Sequence, residues 1–194
     1  MLPSASPSYF RPWSSPSYPS RRLDRSHSLA LSSTTAYLLL TVADTRCALA
    51  QAEIREILPL PHLHRPPASG PLLAGFLDLG GMPVAAIDLA RLLGLRSKTP
   101  SPQDDDPYRH LILSAFSDTA LLVDRVEDLL RVPADAIRPV SSAHTLNGCV
   151  VAEIAWDDAL IPVLAMAQVL TAEETSRVAA LAGLEAERLA ALAI

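Results

Sequence analysis

The sequence predicts a mainly β fold in which two similar small barrels share one core. The first observation is an internal duplication, because four apolar segments recur later in the chain in the same order. Residues 37–42, 54–61, 73–77 and 84–89 are echoed by residues 110–115, 126–133, 146–150 and 161–166, with first-residue offsets of 73, 72, 73 and 77. The second observation is that many of these runs are short and bounded by turn residues, which is typical of β barrels. Each pass of about 70 residues is too small to be very stable alone, so we expect the two to pack together.

The first pass opens with a predicted hairpin. Residues 37–42 form an apolar β-type run, Asp44 and Thr45 form a turn, and residues 47–50 return. An apolar segment follows at residues 51–58, and prolines end it. Residues 62–71 are rich in proline and are predicted to form a loop.

A second hairpin completes the first pass. Its predicted strands are residues 76–79 and 82–87, joined by Gly80 and Gly81. The glycine pair supplies the positive φ angles that a two-residue hairpin turn requires. Asp88 is placed to cap a short helix over residues 89–93.

The second pass repeats this order. Its predicted extended segments are residues 111–116, 120–123, 126–132, 149–156 and 160–164. The two hairpins of this pass turn at Ser117-Asp118 and at Asp157-Asp158, which are favourable turn residues. The repeated order predicts that both passes adopt one topology.

The chain ends in a predicted helix over residues 171–194. Thr171 and Glu174 have the spacing of a capping box, and the alanine-rich composition favours a helix. An apolar stripe follows the helix: Val178, Leu181, Leu184, Leu189 and Leu192. We expect this stripe to pack on the body of the protein; the alternative is a helix that binds a partner.

The remaining segments set the domain organisation. Residues 1–34 are rich in serine and proline and are predicted to form a disordered tail, although their aromatic residues could instead form a docking motif. The domain is predicted over residues 35–175, with subdomains at about 35–97 and 108–170. An acidic, proline-rich linker joins these subdomains.

The composition excludes several classes of function. A net charge of -5 argues against nucleic-acid binding, which needs a basic surface, and fits a soluble cytosolic protein. The sequence carries no phosphate-binding loop, dinucleotide fingerprint or nucleophile elbow, so we expect no catalytic residues and no cofactor. His62 and His64 lack a third ligand with helpful spacing, so no metal site is predicted. Cys47 and Cys149 are interpreted as buried small hydrophobic residues.

Three segments together resemble the CheW-like coupling proteins. Residues 73–94 resemble that family's GxxNLRGxxxPVxDLRxxLG segment, residues 121–133 its GLLVDRVxEVLRIP segment, and residues 146–170 its closing apolar stretch. The similarity covers about residues 36–175. It implies two pseudo-symmetric, SH3-like, five-stranded β-barrels sharing a core, with short helices and a C-terminal helix.

The resemblance also implies a function. Proteins of this family are non-enzymatic adaptors that couple chemoreceptors to a CheA-type histidine kinase in bacterial chemosensory signalling. The implied partners are the regulatory domain of that kinase and the cytoplasmic tip of a chemoreceptor, with no nucleic acid and no direct membrane insertion. The implied location is the cytoplasm, at receptor arrays on the inner membrane face. One alternative is a diverged scaffold for a pilus-motility or polar-localisation pathway; a more remote one is a small β-barrel hydrolase or ligand-binding protein.

The resemblance assigns a partner-binding surface as well. The matching positions are Ile54, Glu56, Leu79, Gly80, Val126 and Leu129. For each apolar member, the alternative is an ordinary core side chain. Gly80 stands where the family has an arginine that pairs with the carboxylate matching Glu56. We therefore expect Glu56 to be exposed or otherwise paired, because an uncompensated buried charge is costly.

Overall fold

The computed structural model describes residues 34–67, 69–96, 108–141 and 145–192. The predicted tail, apart from Thr34, lies outside these ranges, as does the linker from residue 97 to residue 107. Within the described ranges the chain forms eleven strands and two α-helices. The strands are β1 (Thr34–Val42), β2 (Thr45–Ala50), β3 (Ile54–Pro59), β4 (Leu73–Leu79), β5 (Met82–Asp88), β6 (His110–Ser114), β7 (Thr119–Val123), β8 (Arg125–Pro133), β9 (Ile137–Pro139), β10 (Val150–Trp156) and β11 (Ala159–Leu164). The helices are α1 (Leu89–Leu92) and α2 (Ala172–Leu192).

The strands form two mixed sheets with matching order. The first sheet runs β8-β1-β2-β11-β10-β9, and the second runs β3-β6-β7-β5-β4. The duplication pairs β1 with β6, β2 with β7, β3 with β8, β4 with β10 and β5 with β11. Strands β4 and β10 begin 77 residues apart, so the predicted echo of residues 73–77 at residues 146–150 lies four residues too early, and Leu146–Gly148 forms a 3-10 turn before β10. Replacing each strand of the second sheet by its repeat partner gives β8-β1-β2-β11-β10, which is the order of the first sheet without β9. The topology is therefore pseudo-symmetric, as the duplication predicts.

Each sheet combines strands from both passes. The first sheet joins β1 and β2 to strands of the second pass, through an antiparallel β1–β8 pairing and a parallel β2–β11 pairing. The second sheet joins β6 and β7 to β3, β4 and β5 in the same manner. The two passes are thus intertwined, and the boundary between sheets does not follow the boundary between passes in the sequence.

Three of the four predicted hairpin turns have left-handed backbone conformations, and the turn at Ser117-Asp118 does not. The positive φ angles are 47° and 66° at Ala43 and Asp44, 64° and 89° at Gly80 and Gly81, and 48° and 61° at Asp157 and Asp158. Paired positive φ angles match the right-handed twist of the flanking strands. The first of these turns lies one residue earlier than predicted, at Ala43-Asp44 rather than at Asp44-Thr45.

The core has three layers, because several strands are buried on both faces. Side chains of β1 alternate between two clusters. Leu38, Leu40 and Val42 enter a cluster shared by the two sheets, whereas Tyr37 and Leu39 enter a cluster that belongs to the first sheet. A strand buried on both faces reads as a continuous apolar run, which explains the pattern of residues 37–42.

The second sheet is built in the same way. Ile112 of β6 enters the shared cluster, and its neighbours Leu111 and Leu113 enter a cluster that belongs to the second sheet. All three side chains are fully buried. The predicted shared core is therefore present, with one further apolar layer belonging to each sheet.

Helix α2 begins with the predicted capping box. The Thr171 hydroxyl accepts the Glu174 N–H at 3.2 Å, and the Glu174 carboxylate accepts the Thr171 N–H at 2.8 Å. Val178 and Leu181 pack against the shared core, which confirms the packing of this part of the stripe.

The remainder of the predicted stripe is partly wrong. Leu184 and Leu192 are 64% and 70% exposed, whereas Leu189 is half-buried. The residue that is buried on this part of the helix is Glu185, which is only 4% exposed. The buried residue is therefore the charged neighbour of Leu184, the residue that the stripe predicts to be buried.

Candidate partner-binding surface

The predicted surface lies partly on two edge strands that are repeat partners. Strand β3 is at the edge of the second sheet and β8 is at the edge of the first sheet. Ile54 of β3 and Val126 of β8 occupy equivalent positions, and both are half-buried against the shared core. These two side chains therefore contribute to packing as well as to the edges.

Exposed apolar side chains follow on both edge strands. Leu129 of β8 is 42% exposed, and its repeat partner Ile57 of β3 is 38% exposed. Leu129 was predicted from the family resemblance and Ile57 was not, although the offset of 72 residues links the two positions. Glu56 is exposed, which agrees with the expectation for a carboxylate that has lost its arginine partner.

The other predicted residues lie at the β4–β5 turn. Leu79 is half-buried against the cluster of the second sheet, and Gly80 is exposed with no atom within 4 Å of an added Cβ. The Asp78 carboxylate accepts the Gly81 N–H at 2.7 Å and so stabilises the turn. Because β3 and β4 are the two edge strands of the second sheet, Ile54, Glu56, Leu79 and Gly80 all belong to that sheet.

An equivalent turn in the first sheet also carries exposed apolar side chains, which were not predicted from the sequence. Trp156 and Leu160 flank the β10–β11 turn and are 36% and 53% exposed. Their partners in the first pass lie 77 residues earlier, at Leu79 and Pro83. The six predicted residues therefore fall into two sets, one on each sheet, and each sheet has an edge strand and a hairpin turn with exposed apolar side chains.

Strand β8 is fixed to the first sheet by polar contacts. Arg46 of β2 pairs with Glu127 of β8 at 3.2 Å between Nε and Oε2, and the Thr41 hydroxyl of β1 donates to the same carboxylate. At the start of β8, the Arg125 guanidinium lies 5.4 Å from the centre of the Tyr108 ring, which is cation–π distance.

Buried charges lie between the sheets. Arg109 is 6% exposed, and its guanidinium lies 3.6 Å from the carboxylates of both Asp88 and Asp124. Arg91 pairs with Asp88 at 3.6 Å and donates to the Pro71 carbonyl at 2.9 Å. Each of the two carboxylates faces arginine, so this cluster has the character of a structural ion network. The burial of Arg109 was not predicted, because its partners Asp88 and Asp124 are distant from it in the sequence.

A second ion cluster fastens α2 to the loop before β4. Arg188 donates to both oxygens of Glu185 at 3.0 and 3.1 Å from Nε, and His64 Nδ1 lies 2.9 Å from Glu185 Oε1. His64 is positioned by a two-way backbone pairing with Phe76. Gly75 permits that approach, since an added Cβ would lie 2.8 Å from the His64 carbonyl oxygen. The hydrogen bond from Arg188 lowers the pKa of Glu185 below its ordinary value.

The two cysteines are buried thiols. Cys47 and Cys149 are 2% and 1% exposed, and neither forms a disulfide. Desolvation by burial raises the pKa of Cys47 to about 12 and also raises that of Cys149. Neutral thiols are poor nucleophiles and poor metal ligands, which confirms their interpretation as small hydrophobic residues.

Within the described ranges, no group of three His, Cys, Asp or Glu side chains is placed to hold a metal ion. His64 is engaged with Glu185, as described above. The acidic residues 104–106 of the predicted linker lie outside the described residues.

A family model described as the CheW-like domain matches residues 36–174. The chain belongs to the CheW-like domain family. This family consists of chemotaxis scaffolds and adaptors that act through protein–protein interaction. The match covers both passes and both sheets, so it includes all six residues of the predicted surface.

A solved structure shares this fold. It is the scaffolding protein TtCheW from Thermoanaerobacter tengcongensis, with 18% sequence identity and a TM-score of 0.59. The match covers 69% of this chain and 86% of TtCheW. The predicted fold of two SH3-like barrels is therefore confirmed. Comparison with curated proteins found no significant match.

Among the described helices, none is long and apolar enough to cross a membrane.

Proposed function

We propose that this protein is a non-enzymatic adaptor that couples chemoreceptors to a CheA-type histidine kinase. Its partners are the regulatory domain of the kinase and the cytoplasmic tip of a receptor, and it acts in the cytoplasm at receptor arrays. Membership in a family of chemotaxis scaffolds supports this proposal. The structural observation that carries it is the pair of repeat-related surfaces, one on each sheet.

The mechanism is binding alone. A protein with one surface on each of two sheets that share a core can hold two partners in a fixed relation. The state of the receptor then biases the conformational equilibrium of the kinase, because each bound partner changes the free energy of the other's states. The exposed side chains available for these contacts are Ile57 on β3, Leu129 on β8, Trp156 beside the β10–β11 turn and Met82 beside the β4–β5 turn. Signalling interfaces of this kind are small and moderately weak.

A diverged scaffold for another chemosensory pathway is the second candidate. The observation that favours it is the left-handed, exposed Gly80 at the position where the family has arginine. The loss of that cation leaves Glu56 exposed at the edge of the second sheet. A partner that binds this edge would therefore meet a lone carboxylate, whereas the resemblance implies a carboxylate paired with an arginine.

Binding to purified partners tests the proposal. The parent protein is mixed with the kinase regulatory domain, with the receptor cytoplasmic fragment, and with both together, and complexes are measured by analytical ultracentrifugation. We expect two binary complexes and one ternary complex. Absence of both binary complexes would remove the coupling function, and binding to a receptor or kinase of only a pilus-motility pathway would favour the second candidate.

A further inference from the structure

The chain passes between the two sheets at two equivalent points within the described residues. The first crossover leads from β2 to β3 through residues Gln51–Glu53, and the second leads from β7 to β8 through Asp124 alone. Because β2 and β3 are the repeat partners of β7 and β8, the two crossovers are related by the internal duplication. Each of them carries a carboxylate.

The second crossover residue makes contacts in several directions. The Asp124 N–H donates to the Thr41 carbonyl at 3.1 Å, and its Oδ2 accepts the Ala43 N–H at 2.6 Å. The same oxygen lies 2.9 Å from Nη2 of Arg96, and Oδ1 lies 3.6 Å from Nε of Arg109. Thr41 and Ala43 belong to the first sheet and its hairpin turn, whereas Arg109 immediately precedes β6 of the second sheet.

The ion contacts of Asp124 continue into the second sheet. Arg109 also faces Asp88, which ends β5 and caps α1 by accepting the Arg91 N–H at 3.2 Å. Arg96 follows α1, so the segments before and after residues 97–107 both contact one carboxylate. Asp124 therefore links the end of β5, the start of β6 and the first hairpin turn.

The first crossover residue bridges the sheets in a comparable way. The Glu53 carboxylate accepts the Met166 N–H at 2.9 Å, and Met166 follows β11 of the first sheet. The Glu53 backbone carbonyl accepts the Ala115 N–H at 2.8 Å, and Ala115 follows β6 of the second sheet.

We propose that Asp124 and Glu53 are positioning residues that fix the orientation of one sheet relative to the other. The apolar packing of the shared core is non-directional, so it holds the sheets together without fully specifying their angle. Hydrogen bonds and charge-assisted contacts are directional, and they lie at both points where the backbone crosses. These two carboxylates thereby fix the relative orientation of the two partner surfaces, one on each sheet.

Measurements on the isolated protein test the positioning role. Asp124→Ala and Glu53→Ala are compared with Glu127→Ala, a control whose contacts with Arg46 and Thr41 stay within the first sheet. Amide residual dipolar couplings from the strands report the relative orientation of the sheets. We expect one alignment tensor to fit both sheets in the parent and the control, and two different tensors to be needed in each test variant. A single tensor in both test variants would overturn the proposal.

Amide hydrogen exchange gives a second readout. The Ala43 N–H donates to Asp124, and the Met166 N–H donates to Glu53. The exchange rate of Ala43 in Asp124→Ala, and that of Met166 in Glu53→Ala, should rise roughly tenfold because about one hydrogen bond is lost. Exchange of the core amide of Ile112 should stay close to its parent value. If Asp124→Ala does not fold, Asp124→Asn replaces it, since this variant keeps the side-chain shape but removes the charge and one acceptor oxygen. Equal acceleration at all three amides would show general destabilisation and contradict the proposal.

The functional consequence rests on the coupling function proposed above. In the test variants, binary affinities for the kinase regulatory domain and the receptor fragment should stay within about twofold of the parent, while the ternary complex weakens. Loss of binary binding in the variants together with unchanged tensors would contradict the positioning role. Absence of binary binding in the parent would instead contradict the coupling function and leave the tensor measurement to decide on the positioning role.

Discussion

At the scale of single residues, Gly80 is the departure from the family with the clearest consequence. Its φ angle is +64°, which a side chain with Cβ adopts at a cost, although space around it is open. The resemblance implies an arginine here that pairs with the carboxylate matching Glu56, and such a pair would offset the strain. Glu56 is exposed on β3, so a Gly80→Arg variant tests whether that pair forms in this protein.

Comparison of Gly80→Ala with Gly80→Arg distinguishes the backbone strain at residue 80 from an ion pair between residue 80 and Glu56. Gly80→Ala should lower the free energy of unfolding by about 1 kcal/mol because of the positive φ. Gly80→Arg should lower it by less, and the difference should disappear in a Glu56→Gln background and at high salt. The measurement is urea denaturation of six proteins: the parent, Gly80→Ala and Gly80→Arg, each with and without Glu56→Gln. Equal losses for alanine and arginine in both backgrounds would show that the family pairing does not form here.

Glu185 predicts a pH dependence of stability. The pKa of Glu185 is lowered in the folded protein, chiefly by the hydrogen bond from Arg188. The ionised carboxylate therefore stabilises the fold fully at pH values above its ordinary pKa of 4.5. That contribution is lost as the pH falls through the lowered pKa. Urea denaturation of the parent and of Glu185→Gln between about pH 3 and pH 7 should show a gap that narrows on the acidic side. A gap that widens there would contradict this assignment.

At the scale of secondary-structure elements, the capping box should set the stability of the start of α2. Thr171→Ala removes both the acceptor for the Glu174 N–H and the contact with its carboxylate, so we expect a loss of about 1 kcal/mol. Exchange of the first α2 amides should accelerate in the same variant. Ser176→Ala, at an exposed helix position, is the control and should change stability by less than about 0.5 kcal/mol. Similar losses in both variants would argue against the cap.

The hairpins were predictable because their signals are local. Gly80-Gly81 and Asp157-Asp158 supply the required backbone conformation within two residues, and the apolar runs on either side fix the strands. The exchange of strands between sheets was not predictable in this way. Pairings such as Leu39 with Asp128 are long-range, and a repeat looks identical in sequence whether its strands pair within a pass or between passes.

The candidate site was predicted less completely than the fold. Resemblance to the family assigned Leu129, but its exposed partner Ile57 emerged only from the paired strand positions. The burial of Glu185 was missed because its contact with His64 depends on a loop that approaches β4 at Gly75. An apolar stripe on a helix contains no information about such a distant polar partner.

At the scale of the whole molecule, the intertwined sheets should unfold as one unit. The shared cluster joins side chains of both sheets, so neither sheet retains a complete core without the other. Leu40→Ala, in the first sheet, should cost 2–5 kcal/mol, roughly the range for a buried leucine, and should destabilise both sheets equally. Tryptophan fluorescence, circular dichroism and amide exchange in β6 should give coincident transitions. Separate transitions for the two sheets would contradict the shared core.

The central claim is that each sheet presents its own partner surface. Calorimetric titration of Ile57→Asp and Leu129→Asp with the kinase regulatory domain and with the receptor fragment tests this claim most directly. The two substitutions place the same charge at repeat-equivalent, partly exposed positions, so each controls for the other. We predict that each variant folds as the parent does and that the two variants lose affinity for different partners, at least tenfold in each case, or about 1.4 kcal/mol. Loss of the same partner by both variants, or of neither, would contradict a connector with one surface on each sheet.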